Sequence, residues 1–577
     1  MISTIKEILQ KYYTLILFCV FVLISYIKCL LFEHEIYLDI NPNLLSHHLP
    51  KIIISIIIGS PILVNKKCSK WYALILSLII DFWFIANFIY NRYNSAPIDA
   101  MALNMIGNMD GFWNSILLFI NIQIDVLPIL LSCLIIPFFF INKISNKIDY
   151  FIYSLLCLYP LAFLSHYMDT REKQYWEPKI ELEPTNLLKL FHISKIDPDS
   201  NKIMNFHTFK SNAESNSGIH LLLNNLISLT ELKKMNSIVT LTDEEKKLLT
   251  EKGYLPNLKE SKKFDSKLII IVVESMENWV LTPETMPNLW NYMQNHSHLY
   301  ASKMISQVRF GSSADGQMII NTGILPLYNG ATCYRYPNNT YPALCKLAKG
   351  KSLCMVPHEL DVWNQVGMSL AYGYDDNMTL DYNDKVLFTE LNKYIKEDKY
   401  QVIQLLTMST HSPFDALIGL SKFTPEKEMP IYGQNYLKSF HYFDENLGIF
   451  LNKIDSCEAF KNLTIVITGD HTIFPDDKRE ELREYSKTHN KNYNPEAYTC
   501  AIIFSPKLNK KTHIDCVSYQ MDIYPTITSL LDCGFENYKG IGKNLLERDN
   551  TTPKLEYNEE LKYSNLIISS NFFNLIK

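Results

Sequence analysis

Three short stretches of this chain carry residue types that together could activate an alcohol for attack on phosphorus. The first is an apolar run ending in a bare carboxylate, Leu268-Ile269-Ile270-Ile271-Val272-Val273-Glu274. The second, Gly311-Ser312-Ser313-Ala314-Asp315, places hydroxyls at a turn, and the third, Thr468-Gly469-Asp470-His471, puts an acid and an imidazole at the exit of another apolar run. Glu274, Asp470 and His471 form a mixed oxygen and nitrogen donor set that suits Mn²⁺ or Zn²⁺, and Mg²⁺ where water completes the shell. Ser313 would be the fourth ligand, its hydroxyl acidified by the cation and so converted from a weak nucleophile into a strong one. The stretch Ser313–Asn321 reads as a helix whose first amides and dipole would favour phosphoryl oxygens. Each piece alone has a plainer reading, as a rim carboxylate, an N-cap serine or an Asp-His turn, and Ser312 is an alternative nucleophile beside Ser313.

These residues need a scaffold that gathers them from distant parts of the sequence. Beyond Lys263 the chain shows short apolar runs, Leu268–Val273, Ser352–Val356, Val402–Met408, Leu463–Thr468 and Ala501–Phe504, separated by polar, helix-compatible stretches. Runs of that kind, buried on both faces, predict an α/β domain with a largely parallel sheet. Ligands collect at the carboxyl ends of such strands, which would bring Glu274, His358, Thr410-His411 and Asp470-His471 to one rim.

The first third of the chain is different. At 577 residues the protein is too long for one core. Up to about Tyr167 it is dense in Ile, Leu, Phe and Tyr, which divides it into a transmembrane bundle (1–167), a helical elbow (168–263) and an outer catalytic domain (264–577). Five spans are predicted, roughly 13–31, 50–64, 71–90, 125–141 and 148–166, the second short and interrupted by Gly59 and Pro61. Lys6, Lys11, Lys66, Lys67, Lys70, Lys143 and Lys147 fall on one side of that arrangement, so the positive-inside rule puts the N-terminus in the cytoplasm and the C-terminal half outside. Asp81 and Asp125 lie in the apolar segments, either as structural ion pairs or as contacts to a lipid headgroup or substrate. In the elbow, Thr242 and Glu245 have the spacing of a capping box. A formal net charge of -5 without a long basic run argues against a nucleic-acid partner. Of 12 cysteines seven lie in the outer half, and Cys333, Cys345 and Cys354 are near enough in sequence to suggest one local disulfide.

The combination resembles the alkaline phosphatase and sulfatase superfamily, and within it the lipoteichoic acid synthase branch. In that branch Glu274 corresponds to the metal-binding acid, Ser313 takes the place of a threonine nucleophile, and Gly469-Asp470-His471 completes the metal site. Thr410-His411-Ser412-Pro413-Phe414 matches the segment whose histidine contacts substrate, and Trp363-Asn364-Gln365 matches a Trp-Asn-Arg substrate segment with the arginine replaced. His358 would share that pocket, and Gln520–Thr526 and Gly540-Ile541-Gly542 match structural closing segments. The resemblance implies a metal-dependent transferase in a bacterial cell membrane, with Mn²⁺ as the first choice of metal. It would move a phospho-headgroup, phosphoglycerol from phosphatidylglycerol, through a phospho-serine to a glycan or glycolipid acceptor. A phosphoethanolamine transferase, a phosphodiesterase of the same fold and a non-catalytic membrane sensor are the other readings. A sulfatase proper is disfavoured, because no Cys-x-Pro-x-Arg or Ser-x-Pro-x-Arg signature is present.

Overall fold

A computed structural model describes residues 11–37, 45–64, 68–94, 97–98, 117–140, 218–229, 238–255, 258–327, 330–358, 360, 362–455, 462–491, 493–547 and 557–574. The chain divides into two compact units, one comprising Met1–Leu103, Phe119–Ser200 and Met204–Leu232, the other Asn104–Leu118, Asn201–Ile203 and Lys233–Lys577.

In the first unit three helical stretches among the described residues are long and apolar enough to cross a membrane, Tyr13–Ile36, Ser69–Arg92 and Ile122–Phe139. The predicted second span is a shorter apolar helix, Lys51–Leu63, that tightens into a 3₁₀ turn at Ser60–Leu63 where Pro61 enters. The third of the long stretches is not one continuous α-helix. It runs as Ile122–Asp125, then Leu127–Ser132 behind Pro128, then a 3₁₀ segment Cys133–Phe139 containing Pro137, whose ring removes a backbone donor. The fifth predicted helix, 148–166, lies outside the described residues.

Asp81 and Asp125 are both structurally paired. Asp81 lies 2.5 Å from Lys28 Nζ, which also donates to Ser77 Oγ and Ser132 Oγ at 2.6 Å, and Ser132 Oγ donates to Asp81 Oδ2. Asp125 receives both terminal nitrogens of Arg92 at 2.8 and 3.0 Å. Charges at these depths are tolerated because each meets its opposite inside the bundle.

The second unit is built on one mixed sheet. Its strands, in chain order, are β1 (Ser261–Lys262), β2 (Lys267–Val273), β3 (Leu299–Ile305), β4 (Ser352–Val356), β5 (Asp376–Thr379), β6 (Val402–Leu406), β7 (Leu463–Gly469), β8 (Thr499–Phe504), β9 (Thr512–Ile514), β10 (Ser518–Tyr519) and β11 (Gly534–Phe535). The main sheet runs β10-β3-β8-β7-β2-β6-β4-β5, with β9 beside β3, while β1 and β11 form a separate antiparallel pair. From β7 to β5 all pairings are parallel, and β8 is antiparallel to both its neighbours. The apolar runs read from the sequence are these central strands: β2, β4, β6, β7 and β8 are buried along nearly their whole length, as expected for strands covered on both faces.

Register places the strand ends level. Val272 pairs with Leu406 on one side and Val273 with Gly469 on the other, so the residues leaving β2, β6 and β7 emerge side by side. Ser312–Thr322 is a helix buried on every residue, and Thr242 with Glu245 forms the capping box of the helix Asp243–Glu251. The expected local disulfide is absent: Cys333, Cys345 and Cys354 are buried free thiols, held on a short helix, a 3₁₀ turn and β4 respectively.

Candidate active site

The three titratable residues picked out at strand exits converge. Glu274, Asp470 and His471 each offer a ligand atom within 4.8 Å of the others, and all are buried. Ser313 Oγ donates to Glu274 Oε2 at 2.9 Å and lies 3.4 Å from His471 Nε2. Close approach here depends on two glycines. A Cβ on Gly316 would sit 2.8 Å from the Asp470 carbonyl oxygen, and one on Gly469 would sit 2.2 Å from Thr499 Oγ1. Glycine therefore lets the serine-bearing helix and β8 press against the turn that carries Asp470.

The polar atoms of this centre are arranged to receive a cation. His471 Nδ1 is 3.1 Å from the Thr472 carbonyl, to which only an N–H can donate, so a neutral ring turns its Nε2 lone pair inward. That lone pair faces Glu274 Oε1 at 3.4 Å and Asp470 Oδ2 at 3.5 Å. Asp470 Oδ1 accepts the backbone N–H groups of Ser275 (2.8 Å) and His471 (2.7 Å), whereas the buried Oδ2 accepts no hydrogen bond among the described residues. Three electron-rich atoms aimed at one point, one of them unsatisfied, fit a divalent metal.

The electrostatics say the same. Burial and the neighbouring Glu274 push Asp470 up to about 8. Burial opposes protonation of His471, yet Asp470 and Glu274 raise it to about 10. Burial also works against ionised Glu274, but His471 holds it below the usual carboxylate range. Two buried acids around one imidazole thus demand positive charge between them.

Surrounding residues fix the geometry. Thr407 Oγ1 accepts the Glu274 N–H at 3.1 Å, and Thr410 Oγ1 donates to the Glu274 carbonyl at 2.6 Å, clasping the loop after β6 to the end of β2. His411, half-buried on that loop, has Nδ1 2.6 Å from the Ser412 carbonyl. Gln520 Nε2 donates to the carbonyls of Gly469 (3.1 Å) and Asp470 (2.6 Å), a structural role for the closing segment. Ser275 (φ 56), Ser312 (φ 41), Trp363 (φ 53), Asn364 (φ 48) and Phe414 (φ 69) are non-glycine residues at positive φ. Each neighbours or is a candidate site residue or its loop, and such conformations cost on the order of 1–3 kcal/mol apiece.

The substrate segment is placed unevenly. Trp363 is half-buried with its ring centroid 6.2 Å from that of Tyr334, and Asn364 Nδ2 donates to the Cys333 carbonyl at 2.8 Å. His358 is buried two residues past β4. Gln365 is 3 % exposed and its amide bonds to Gln317 and Ser369, so its side chain is spent within the protein.

Three positioning residues escaped the sequence reading. Glu277, three residues after Glu274, accepts the Ile473 and Phe474 N–H groups on Oε1 at 2.9 and 3.2 Å and the indole N–H of Trp279 on Oε2 at 2.8 Å. Arg479 grips both its oxygens, at 2.5 and 2.7 Å, so the segment after His471 is tied to the turn after Glu274. Asp384 Oδ1 accepts the Met408 and Ser409 N–H groups at 2.9 and 3.2 Å, steadying the His411 loop. A second acid three residues on was the one available signal for Glu277. Arg479 is embedded in Asp476-Asp477-Lys478-Arg479-Glu480, which reads as a solvated helix face.

Asp384 gives a pH prediction. Burial pushes its carboxyl up to about 6, against the backbone hydrogen bonds that favour ionisation. A raised folded pKa means the protonated native state is favoured, so this contribution is complete below the unfolded value near 4 and is lost as pH rises through about 6. Asp384→Asn is expected to flatten the fall in thermal midpoint between pH 4 and 6, measured by unfolding at stepped pH.

The Sulfatase family matches residues 267–533, and the family of the lipoteichoic acid synthase N-terminal domain matches residues 1–177. The chain is a lipoteichoic acid synthase-like member of the alkaline phosphatase/sulfatase superfamily. A lipoteichoic acid synthase of Staphylococcus saprophyticus is 20% identical over 551 residues, covering 88% of this chain and 79% of that protein. Lipoteichoic acid synthase 2 of Bacillus subtilis is 22% identical over 308 residues, 49% of this chain and 47% of its own length. Among solved structures, the lipoteichoic acid synthase LtaP of Listeria monocytogenes aligns with a TM-score of 0.43 at 18% identity, covering 53% of this chain and 90% of that one. By its two family matches this lipoteichoic acid synthase-like chain is a transmembrane sulfatase-superfamily phosphotransferase, and its superfamily is metal-dependent.

Proposed function

We propose that the enzyme transfers the phosphoglycerol group of phosphatidylglycerol to a hydroxyl of a cell-envelope glycan or glycolipid, with Ser313 as the nucleophile. The observation that carries this reading is the Ser313 hydroxyl set 2.9 Å from Glu274, at the mouth of the Glu274–Asp470–His471 cluster, at the start of a buried helix. Those four residues would hold the metal, and Mn²⁺ is the ion we assign to them. When bound it would lower the pKa of the serine hydroxyl and neutralise charge developing on the phosphoryl oxygens.

The protein's own residues do the rest. Ser313 reacts as its oxyanion, its proton given up to solvent: Oγ forms a bond to phosphorus, the phosphorus–oxygen bond to diacylglycerol breaks in line with it, and Ser313 leaves again as the oxyanion in the second half. His411 supplies the proton to the departing diacylglycerol oxygen and recovers one from the acceptor hydroxyl, which displaces Ser313 in the second half. The first amides of the Ser312–Thr322 helix favour the phosphoryl oxygens. Trp363, Asn364 and His358 are assigned to the headgroup side. The membrane helices, with a cytoplasmic N-terminus and the catalytic unit on the outer side, keep that unit at high effective concentration of its lipid donor.

Headgroup-labelled phosphatidylglycerol and, separately, headgroup-labelled phosphatidylethanolamine given to the full-length protein test the reaction. Label on a glycan or glycolipid supports transfer, free glycerol phosphate turns the reading into hydrolysis, and label release only from phosphatidylethanolamine replaces the donor. A second expectation concerns the metal. Chelation lowers the thermal midpoint and Mn²⁺ restores it, since a ligand at 100 times its Kd stabilises by about 2.7 kcal/mol. Asp470→Ala is expected to abolish that response, and a persistent Mn²⁺ shift in the variant would move the metal elsewhere.

A further inference from the structure

The helix that carries Ser313 is held from behind by a cluster of buried side-chain amides that the proposed reaction does not use. Gln317 lies one turn beyond Ser313, and its Oε1 accepts from Gln365 Nε2 at 3.2 Å and from Gln404 Nε2 at 2.9 Å. Gln317 Nε2 donates back to Gln365 Oε1 at 3.2 Å, so these two amides pair reciprocally. Gln365 Nε2 also reaches Ser369 Oγ at 3.1 Å and Cys354 Sγ at 3.5 Å. One turn further along the helix, Asn321 Nδ2 donates to Gln404 Oε1 at 2.6 Å, and Tyr374 OH donates to Asn321 Oδ1 at 3.0 Å. Gln317, Asn321, Gln365, Ser369 and Gln404 are all at most 3 % exposed.

The members come from separate elements. Gln404 is in β6, three residues before Thr407 and the His411 loop. Gln365 opens a helix immediately after Trp363 and Asn364, both held at positive φ. One amide cluster therefore sets the serine helix, the Trp363–Asn364 turn and the strand leading to His411 in register with one another. A buried polar network satisfied in this way is a strong constraint, because loosening one member leaves its partners with desolvated, unpaired groups.

We infer that Gln365 is a positioning residue, which locks the Ser313 helix against the Trp363–Asn364 turn through Gln317 and does not touch the phospho-headgroup. Its kinetic consequence rests on the phosphotransfer reading above, whereas its packing consequence does not, and the test separates them. Full-length protein with Mn²⁺ is assayed on bis(p-nitrophenyl) phosphate and on phosphatidylglycerol vesicles, as wild type, Gln365→Met, Gln365→Arg, Gln317→Met and the Gln317→Met/Gln365→Met double variant. Gln365→Met is expected to lower kcat by about tenfold to a hundredfold through misplacement of Ser313. KM should stay within about threefold, the mark of lost alignment and not of lost substrate binding. Gln365→Arg is expected to lose activity as well, since a longer, charged guanidinium would be buried among neutral amides, with no carboxylate in the cluster to pair with it. The double variant should be no worse than either single one, in rate and in thermal midpoint. A raised KM with intact kcat, tighter vesicle turnover in Gln365→Arg, or additive midpoint losses in the double variant would each overturn the inference. Should wild type turn over neither substrate, the proposed reaction fails and the midpoint cycle alone decides the role of Gln365.

Discussion

Ser313→Ala is expected to abolish headgroup transfer, by on the order of 10⁴-fold or more, while the fold survives. The magnitude follows from what the hydroxyl does in the proposed scheme: it forms the covalent bond that divides one difficult displacement into two easier ones, and no neighbour replaces it. Ser313 Oγ is the hydroxyl seen donating to Glu274 and lying near His471. Thermal stability should change little, because the side chain is small and the helix is fixed by its buried length and by Gln317 and Asn321. Ser313→Thr keeps the oxygen and is expected to retain turnover. Steady-state transfer assays with a midpoint measurement on each variant decide the matter. A Ser313→Ala enzyme within about tenfold of wild type would move the nucleophile elsewhere, with Ser312 the next residue to replace.

The largest stability effect is expected at Arg479. Its side chain is 2 % exposed, and Glu277, with which it pairs, is 0 % exposed. Removing one partner of such a pair leaves a buried, uncompensated charge, which costs about 3–5 kcal/mol. Arg479→Met should therefore lower the thermal midpoint by roughly 6–10 °C. It should also weaken Mn²⁺ binding, since Glu277 Oε1, one of the two oxygens Arg479 grips, holds the Ile473 and Phe474 amides just after His471. In the double variant Glu277→Gln/Arg479→Met the amide oxygen still accepts those N–H groups and no charge is stranded. That variant is expected to recover part of the loss. A double variant as unstable as Arg479→Met would show that the arginine acts by packing and not by compensating Glu277.

What could be read from the sequence was whatever depends on local pattern. The central strands were legible because burial on both faces forces uninterrupted Ile, Val and Leu, and an acid that ends such a run, as Glu274 ends β2, has few places to go but the rim. The serine helix was legible from its Gly-Ser-Ser start, and the capping box from the Thr242 to Glu245 spacing. The residues that hold the site were not, because their partners are remote: Glu277 meets Arg479 across 202 positions and Gln317 meets Gln404 across 87. Gln365 shows the same limit in finer form. Its place in the Trp363-Asn364-Gln365 segment suggested the substrate side, but the two left-handed residues before it turn the following helix so that the amide faces the core. The neighbouring cysteines misled for a related reason, since proximity along the chain says nothing about where a short helix, a 3₁₀ turn and a strand direct their side chains. In the membrane half, hydropathy found the four apolar stretches Tyr13–Ile36, Lys51–Leu63, Ser69–Arg92 and Ile122–Phe139 among the described residues, while the prolines decided that the last would be broken.

The most direct test of the central claim is the intact mass of the full-length protein after incubation with Mn²⁺ and phosphatidylglycerol, with phosphatidylethanolamine and Ser313→Ala run alongside. The account predicts a mass increase equal to a phosphoglycerol group, mapped to Ser313, absent from the variant and absent with phosphatidylethanolamine. An adduct on another residue, a phosphoethanolamine adduct in its place, or a protein that binds no metal and takes up no group from either lipid would contradict it.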